Sequence, residues 1–334
     1  MQWSNGYSAS YIMHEVDPAT FRDLSPMQIT GGSIKRELTG KRESADIECH
    51  GIEIGVEKWI RIYLDTTQGG THERTPLFTG LASSPASEYD GNRKTNTLAC
   101  YSVLKPCDDV ALPVGWYAPK NASGAELIRR LLLVTPAPVV VADGSPTLTD
   151  HIIAESNETN LTMIDKILTA IDWRIRIEGN GTVNVMPKPL EPVASFDPLR
   201  DDMIETKIKV SADWYSCPNV YRATSGDMTG IARDEDPNSP LSIPSRGREV
   251  WLTESGAKLA STESIAQYAQ RKLKEAQSVK QTAAYTRRYL PDVLPGDMIR
   301  MRYPKQGVSG LYRVQSQTVT LGYGASTEEE IAEV

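Results

Sequence analysis

The stretch that most restricts this chain runs from 291 to 321, where Leu294-Pro295-Gly296-Asp297 leads into Met298-Ile299-Arg300-Met301-Arg302-Tyr303 and, after a break, Leu311-Tyr312-Arg313-Val314. Proline presets the first central angle of a type II turn and glycine tolerates the positive φ needed next, so Pro295-Gly296 predicts such a turn. The residues around Met298 and Met301 have β character without strict alternation. Tyr312, Val314, Val319 and Leu321 sit among polar neighbours, as in a half-buried strand. With 303 to 307 as the loop, the segment reads as a closing hairpin at the edge of a barrel or sandwich, and it carries no chemistry of its own.

A chain of 334 residues exceeds what one hydrophobic core usually serves, so two to four modules are expected. Hydrophobic content of 40% and charged content of 24% are those of ordinary globular protein. No apolar run approaches the ~20 residues needed to span a bilayer. The start, Met-Gln-Trp-Ser-Asn-Gly-Tyr, has neither the basic nor the apolar segment of an export signal, so cytoplasmic synthesis is expected. A net charge of −7 argues against a surface that binds nucleic acid by neutralising phosphates. Cys49, Cys100, Cys107 and Cys217 lack zinc-site spacing and are too sparse for a disulfide framework, so buried free thiols are expected.

In chain order, residues 1–115 read as a first β-barrel domain. Ala45, Ile47 and Cys49 alternate onto one face, as do Ile60, Ile62 and Leu64. Gly31-Gly32, Gly69-Gly70 and Asp90-Gly91-Asn92 are placed as turns, and 98 to 104 as a further strand. Closure into a barrel would remove exposed edges. Residues 116–200 read as an α+β module. A helix with a capping box from Ser123 to Glu126 carries Leu127, Leu131 and Leu132 and stops at Pro136 and Pro138. A second, capped by Thr159 or Asn160, carries Leu161, Ile164, Ile167, Leu168 and Ile171, and a hairpin turns at Gly179-Asn180-Gly181. Proline at 187, 189, 192 and 198 disfavours helix and central strand alike. Residues 201–225 with 282–334 read as a second β-barrel domain. It is interrupted by an insert, 226–281, holding one helix from about Thr262 to Gln277, capped by Ser261 or Thr262, with Ile265, Ala269, Leu273 and Ala276 on one face. Glu328-Glu329-Glu330 reads as a solvated tail. The fold class is thus α+β, mainly β: two barrels, an α+β module and a small helical insert.

Nothing in the sequence marks a catalytic, cofactor or metal site. His14, His50, His72 and His151 are scattered, each expected to be half-exposed with one satisfied nitrogen. Cys49 and His50 are strand neighbours and point to opposite faces, so they form no dyad. Asp234-Glu235-Asp236-Pro237-Asn238 lacks the glycine and distal glutamate of an EF-hand and reads as a solvated turn. The six tryptophans fall one per element, as core or interface anchors do.

The order of modules carries more than any single residue. The marks are Gly31-Gly32-Ser33-Ile34 and Glu43-Ser44-Ala45, then Pro218-Asn219-Val220-Tyr221 and Asp236-Pro237-Asn238-Ser239-Pro240-Leu241-Ser242-Ile243 with Ser245-Arg246-Gly247-Arg248. The insert helix, Leu294-Pro295-Gly296-Asp297-Met298-Ile299 and Gly310-Leu311-Tyr312-Arg313-Val314 complete the series. In this order the chain resembles the baseplate hub proteins of phage tails and related contractile injection particles, over nearly its whole length. The resemblance implies a homotrimer whose two barrels per chain make a ring of six quasi-equivalent units, matching a sixfold tail tube to a threefold spike or fibre. It implies as partners the tail tube or distal tail protein, the tape-measure protein and a central spike or fibre, with DNA passing the lumen unbound and the protein located in the virion tail tip. The chain stops about where the hub core would end, so host recognition or wall cleavage is expected on other chains.

Polar, proline-punctuated excursions from a barrel have little core of their own to join, so the insert helix and the 234 to 248 loop are expected to contact neighbouring chains. Asp234, Asp236, Arg246, Arg248 and Tyr268 are the candidate interface residues. The competing expectation is a carbohydrate-active protein, either a sugar-binding module or a wall hydrolase, the latter requiring two carboxylates facing each other across a cleft.

Overall fold

In the computed structural model, the described residues are 1–49, 57–91, 93–144, 146–199, 203–211, 214–225, 227–255, 257, 264–277 and 281–334. They form two compact units, Met1–Lys209 with Ala283–Val334, and Val210–Thr282. The architecture is mainly β.

The first six strands are β1 (Ser8–Val16), β2 (Asp23–Glu37), β3 (Glu43–Cys49), β4 (Lys58–Gln68), β5 (Thr71–Asp90) and β6 (Arg93–Ser102). All pair antiparallel, in the order β1-β4-β5-β6-β3-β2 and back to β1, a cycle that leaves no edge unpaired. The alternating residues face one core: Ala45, Ile47, Ile60, Ile62 and Leu64 pack with Met13, Ile34 and Leu98. Gly31-Gly32 is not the turn expected. The pair lies inside β2, where the register to β3 shifts, Gly32 has φ 136°, and a Cβ there would sit 2.2 Å from the Asp46 carbonyl oxygen. Glycine here bends a strand rather than ending it.

The next module contains α1 (Lys105–Asp109), β7 (Tyr117–Ala118), α2 (Gly124–Leu131), β8 (Val139–Val141), β9 (Ile152–Ile153), α3 (Asn160–Ile171), β10 (Trp173–Ile177) and β11 (Val183–Pro187). Ser123 caps α2 by accepting from the Glu126 amide, but the Glu126 carboxylate turns to Arg129 and Arg130, so the expected reciprocal bond is absent. Thr159 and Thr162 form a full capping box on α3. Asn160, the other cap candidate, is buried and donates to the Leu131 carbonyl at 3.1 Å. Leu161, Ile164, Ile167 and Leu168 of α3 share a core with Ile128 and Leu131 of α2 and with Ile175, Val183 and Val185 of the β10–β11 hairpin.

After β12 (Pro192–Phe196) and β13 (Ile204–Ser211) the chain enters the second unit: β14 (Val220–Ser225), β15 (Met228–Arg233), α4 (Ile243–Arg246), β16 (Trp251–Ser255) and α5 (Ile265–Ala276). The sequence grouped Val220–Thr224 with the second barrel. It is instead the middle strand of a separate sheet, β15-β14-β16. The reason is packing: Tyr221 and Ala223 of β14 and Ala232 of β15 form a core with Tyr268, Ala269 and Leu273 of α5. Gly230 permits the approach, since a Cβ there would lie 2.4 Å from the Ile265 carbonyl oxygen. The cap of α5 is Ser264, boxed with Gln267; Ser261 and Thr262 lie outside the described residues. The insert also holds α4, beyond the one helix expected.

The chain returns through β17 (Thr282–Arg287), β18 (Met298–Tyr303), β19 (Val308–Thr320) and β20 (Thr327–Glu333), giving the order β12-β18-β19-β20-β17-β13. The proline run disfavours helix and central strand, and the β12 that forms there is an edge strand. Among the described residues it pairs only with β18, in parallel, and Pro192 is its first residue, the place where a missing N–H costs least. β19 is long enough to pair β18 with its first half and β2 with Ser316–Thr320, so both six-strand groups belong to one twelve-stranded sheet. The acidic triplet is not a solvated tail. It lies in β20, where Glu328 and Glu330 face solvent while Glu329 is buried between Arg287 and Tyr285.

Glu329 ends a buried polar chain through the middle of this sheet. Gln317 donates to it at 2.7 Å, Arg36 donates to Gln317 at 2.5 Å, and Arg36 also binds Glu43 at 3.0 Å. β3, β2, β19, β20 and β17 are thereby tied by side chains as well as by backbone. The turn at 294–297 forms as expected, with the Asp297 amide donating to the Leu294 carbonyl at 3.1 Å and Gly296 at φ 88°. It places the fully buried Asp297 carboxylate where Arg174 and Arg176 of β10 donate to it at 2.7 and 2.6 Å.

Candidate assembly surface

The insert unit carries the residues singled out in sequence. Asp234 accepts from the Ser239 hydroxyl at 2.6 Å and the Gln277 amide at 2.9 Å, and Asp236 accepts from the Asn238 backbone at 2.9 Å. Arg246 donates to the carbonyls of Cys217 and Tyr215 at 2.5 and 2.9 Å. Arg248 donates to the same Tyr215 carbonyl at 2.9 Å and lies 4.3 Å over the Tyr215 ring. Four of the five thus organise the loop. Asp236 and Arg248 keep their exposure, whereas Tyr268 is only 5% exposed and bonds Glu254 at 2.9 Å. A buried ring of this kind supports the surface from behind and cannot touch a neighbour.

The outward side of the same sheet is what sequence reading missed. Alternate strand residues share a face, so Tyr221, Ala223 and Ala232 point to α5, while Arg222, Ile231, Arg233, Trp251 and Thr253 lie on the other side. Trp251 is 43% and Ile231 49% exposed. Trp251 is held in place: Arg233 and Arg222 sit over its ring at 5.4 and 5.9 Å, and its indole N–H donates to Glu249 at 2.8 Å. Glu249 also pairs with Arg233, whose hydrogen bond holds the carboxyl below its ordinary range. Tryptophan and arginine in a pre-ordered exposed cluster are the residue types that dominate protein–protein contacts, because little side-chain freedom remains to be lost on docking. Ile231 and Arg233 alternate along β15, and Arg222 belongs to β14. Only the pairing of β14 with β15 and β16 assembles the cluster.

All four cysteines are buried and free, as expected, and burial pushes the Cys100 and Cys107 thiols up to about 12. His72 and His151 each have one ring nitrogen bonded, to the Thr67 hydroxyl and the Lys120 amide. His14 departs from expectation: both its ring nitrogens are buried without a partner, and the ring stands edge-on to Tyr63 at 5.6 Å. His50 lies outside the described residues. Among the described residues no helix is long and apolar enough to cross a membrane.

No family model and no curated protein matches this sequence. Solved structures do match it. The tail protein from Neisseria meningitidis MC58 superimposes with a TM-score of 0.67 at 17% identity, over 98% of this chain and 97% of that one. The 43 kDa tail protein of prophage MuSo2 from Shewanella oneidensis gives 0.67 at 14% identity, over 98% and 97%. A type VI secretion component of E. coli, described as structurally similar to the T4 tail proteins gp27 and gp5, gives 0.50 at 7% identity, over 92% and 73%. The chain therefore has, over nearly its whole length, a fold found in phage tail proteins and in a type VI secretion component.

Proposed function

We propose that this protein is a structural hub at the tip of a phage-type tail, a virion component without catalytic turnover. In this reading three copies form a ring that joins the sixfold tube to a threefold spike or fibre. The observation that carries it is the pair of six-strand groups, β1 to β6 and β12-β18-β19-β20-β17-β13, joined in one sheet. Two comparable β units per chain let three chains present six, which is what a threefold-to-sixfold adaptor requires. The end-to-end likeness to tail proteins supports the same reading. The ring lumen then passes the tape-measure protein and DNA, and an acidic protein of net charge −7 suits a channel that must not retain a polyanion. The Trp251 face is the contact to the neighbouring copy.

The wall-hydrolase form of the carbohydrate-active alternative needs two carboxylates facing each other. The buried carboxylates Glu43, Asp297 and Glu329 each face a guanidinium instead. Light scattering of the purified chain across a concentration series tests the hub. A trimer, or a mass rising toward three copies with concentration, is the expected result. A strict monomer that also fails to bind isolated tail tubes, seen by electron microscopy, would overturn it.

A further inference from the structure

Beside the Pro295-Gly296 turn lies a cavity of about 180 Å³ that the hub reading does not use. Its lining combines apolar Leu38, Leu168 and Trp173 with the cations of Arg42, Arg174, Lys188 and Arg313 and the carboxylate of Asp165. Three of these cations have counter-charges: Arg42 pairs with Asp165 at 2.5 Å, Arg174 with Asp297 at 2.7 Å, and Lys188 with Asp172. Arg313 has none among the described residues, and its buried Nε has no hydrogen-bond acceptor. Arg174 is 7% exposed, and its Nε and Nη1 likewise lack acceptors. Gly296 keeps the space beside that guanidinium clear, since a Cβ there would lie 2.8 Å from Nη1. Buried donors without partners cost stability and persist where something else satisfies them.

From this geometry we infer that the cavity is a receptor for a single carboxylate carried on a small apolar body. One uncompensated guanidinium answers one negative charge. The planar fork of arginine matches a carboxylate in two-point contact, and the leucine and tryptophan walls take the attached carbon frame. A phosphate dianion would face hydrocarbon where it needs donors. The volume is close to that of a cavity known to hold one benzene ring, on the order of 150 Å³. The carboxylate can come from a free acid or from the end of a partner chain.

Titrations of the whole chain followed by calorimetry test this with benzoate, benzamide and inorganic phosphate. Benzoate is expected to saturate one site. Benzamide, its uncharged isostere, and phosphate are each expected to bind at least tenfold more weakly. Arg313→Gln breaks no ion pair, so its melting temperature should stay within about 2 °C of the parent while benzoate affinity falls at least tenfold. Equal binding of benzoate and benzamide, phosphate binding as tightly as benzoate, no binding of benzoate at all, or unchanged affinity in the variant would each overturn the assignment. A short peptide ending in leucine with a free carboxylate, compared with its amidated form, separates the two sources. If the free-carboxylate peptide binds more tightly than benzoate and its amide does not bind, the occupant is a chain end. If benzoate binds more tightly, it is a free acid.

Discussion

Glu329 and Glu43 are both buried glutamates held by arginine, and they predict opposite things. Glu329 accepts from Arg287, Gln317 and Tyr285, so its charge is fully engaged. Glu329→Ala leaves Arg287 charged and unpaired in the interior, and denaturant unfolding should show a loss of about 3–5 kcal/mol. Glu328→Ala and Glu330→Ala, one residue to either side and exposed, should stay within about 0.5 kcal/mol. Glu43 has Arg36 at 3.0 Å, but its second oxygen is buried without a partner, and burial outweighs the arginine to raise its carboxyl to about 7. A folded-state value above the ordinary 4.5 means that the folded protein holds the proton more tightly than the unfolded chain. Its contribution to stability is therefore complete below about pH 4.5 and disappears as pH rises through about 7. Unfolding midpoints measured from pH 4 to 8 should fall across that window, and Glu43→Gln should flatten this part of the curve. An unchanged slope in the variant would assign the dependence to another group.

At the scale of elements, the insert sheet separates support from contact. Tyr268 packs between α5 and β14 with its hydroxyl on Glu254, so Tyr268→Ala should open the insert, at a cost of about 3–5 kcal/mol. Hydrogen exchange should then show loss of protection in 265–276 and in β14. Trp251→Ala removes an exposed ring, and protection within the insert should persist. Gly32 stands at φ 136° against the Asp46 carbonyl, so Gly32→Ala strains the backbone and pushes β2 off β3. A melting temperature equal to the parent's would show that the bulge can relax.

If the outward insert face contacts a neighbouring copy, Trp251→Ala and Ile231→Ser should shift the light-scattering mass toward the monomer while circular dichroism stays unchanged. Loss of more than 2 kcal/mol of association energy at Trp251 would mark it as a hot spot. A mass equal to the parent's in both variants would remove this face from the interface and leave the exposed Asp236 and Arg248 as the remaining candidates.

Local pattern alone determined the turn at 294–297, the strands around Ile47 and Ile62, the α3 stripe with its cap at Thr159 or Asn160, and the burial of four free cysteines. Each depends on residues close in sequence, through side-chain period, φ preference or capping, and each formed as read. Tertiary structure decided everything that depends on which strand lies beside which. Pairing with β15 and β16 took Val220–Ser225 out of the barrel, and pairing with β18 made a strand at Pro192. The partner of Arg287 turned a run of three glutamates from surface to core at its middle residue. Such outcomes join residues far apart in the chain, and neither composition nor period encodes a partner that distant. For the same reason the Trp251 cluster and the Arg174 cavity, each assembled from residues far apart in the chain, were invisible until their strands had paired.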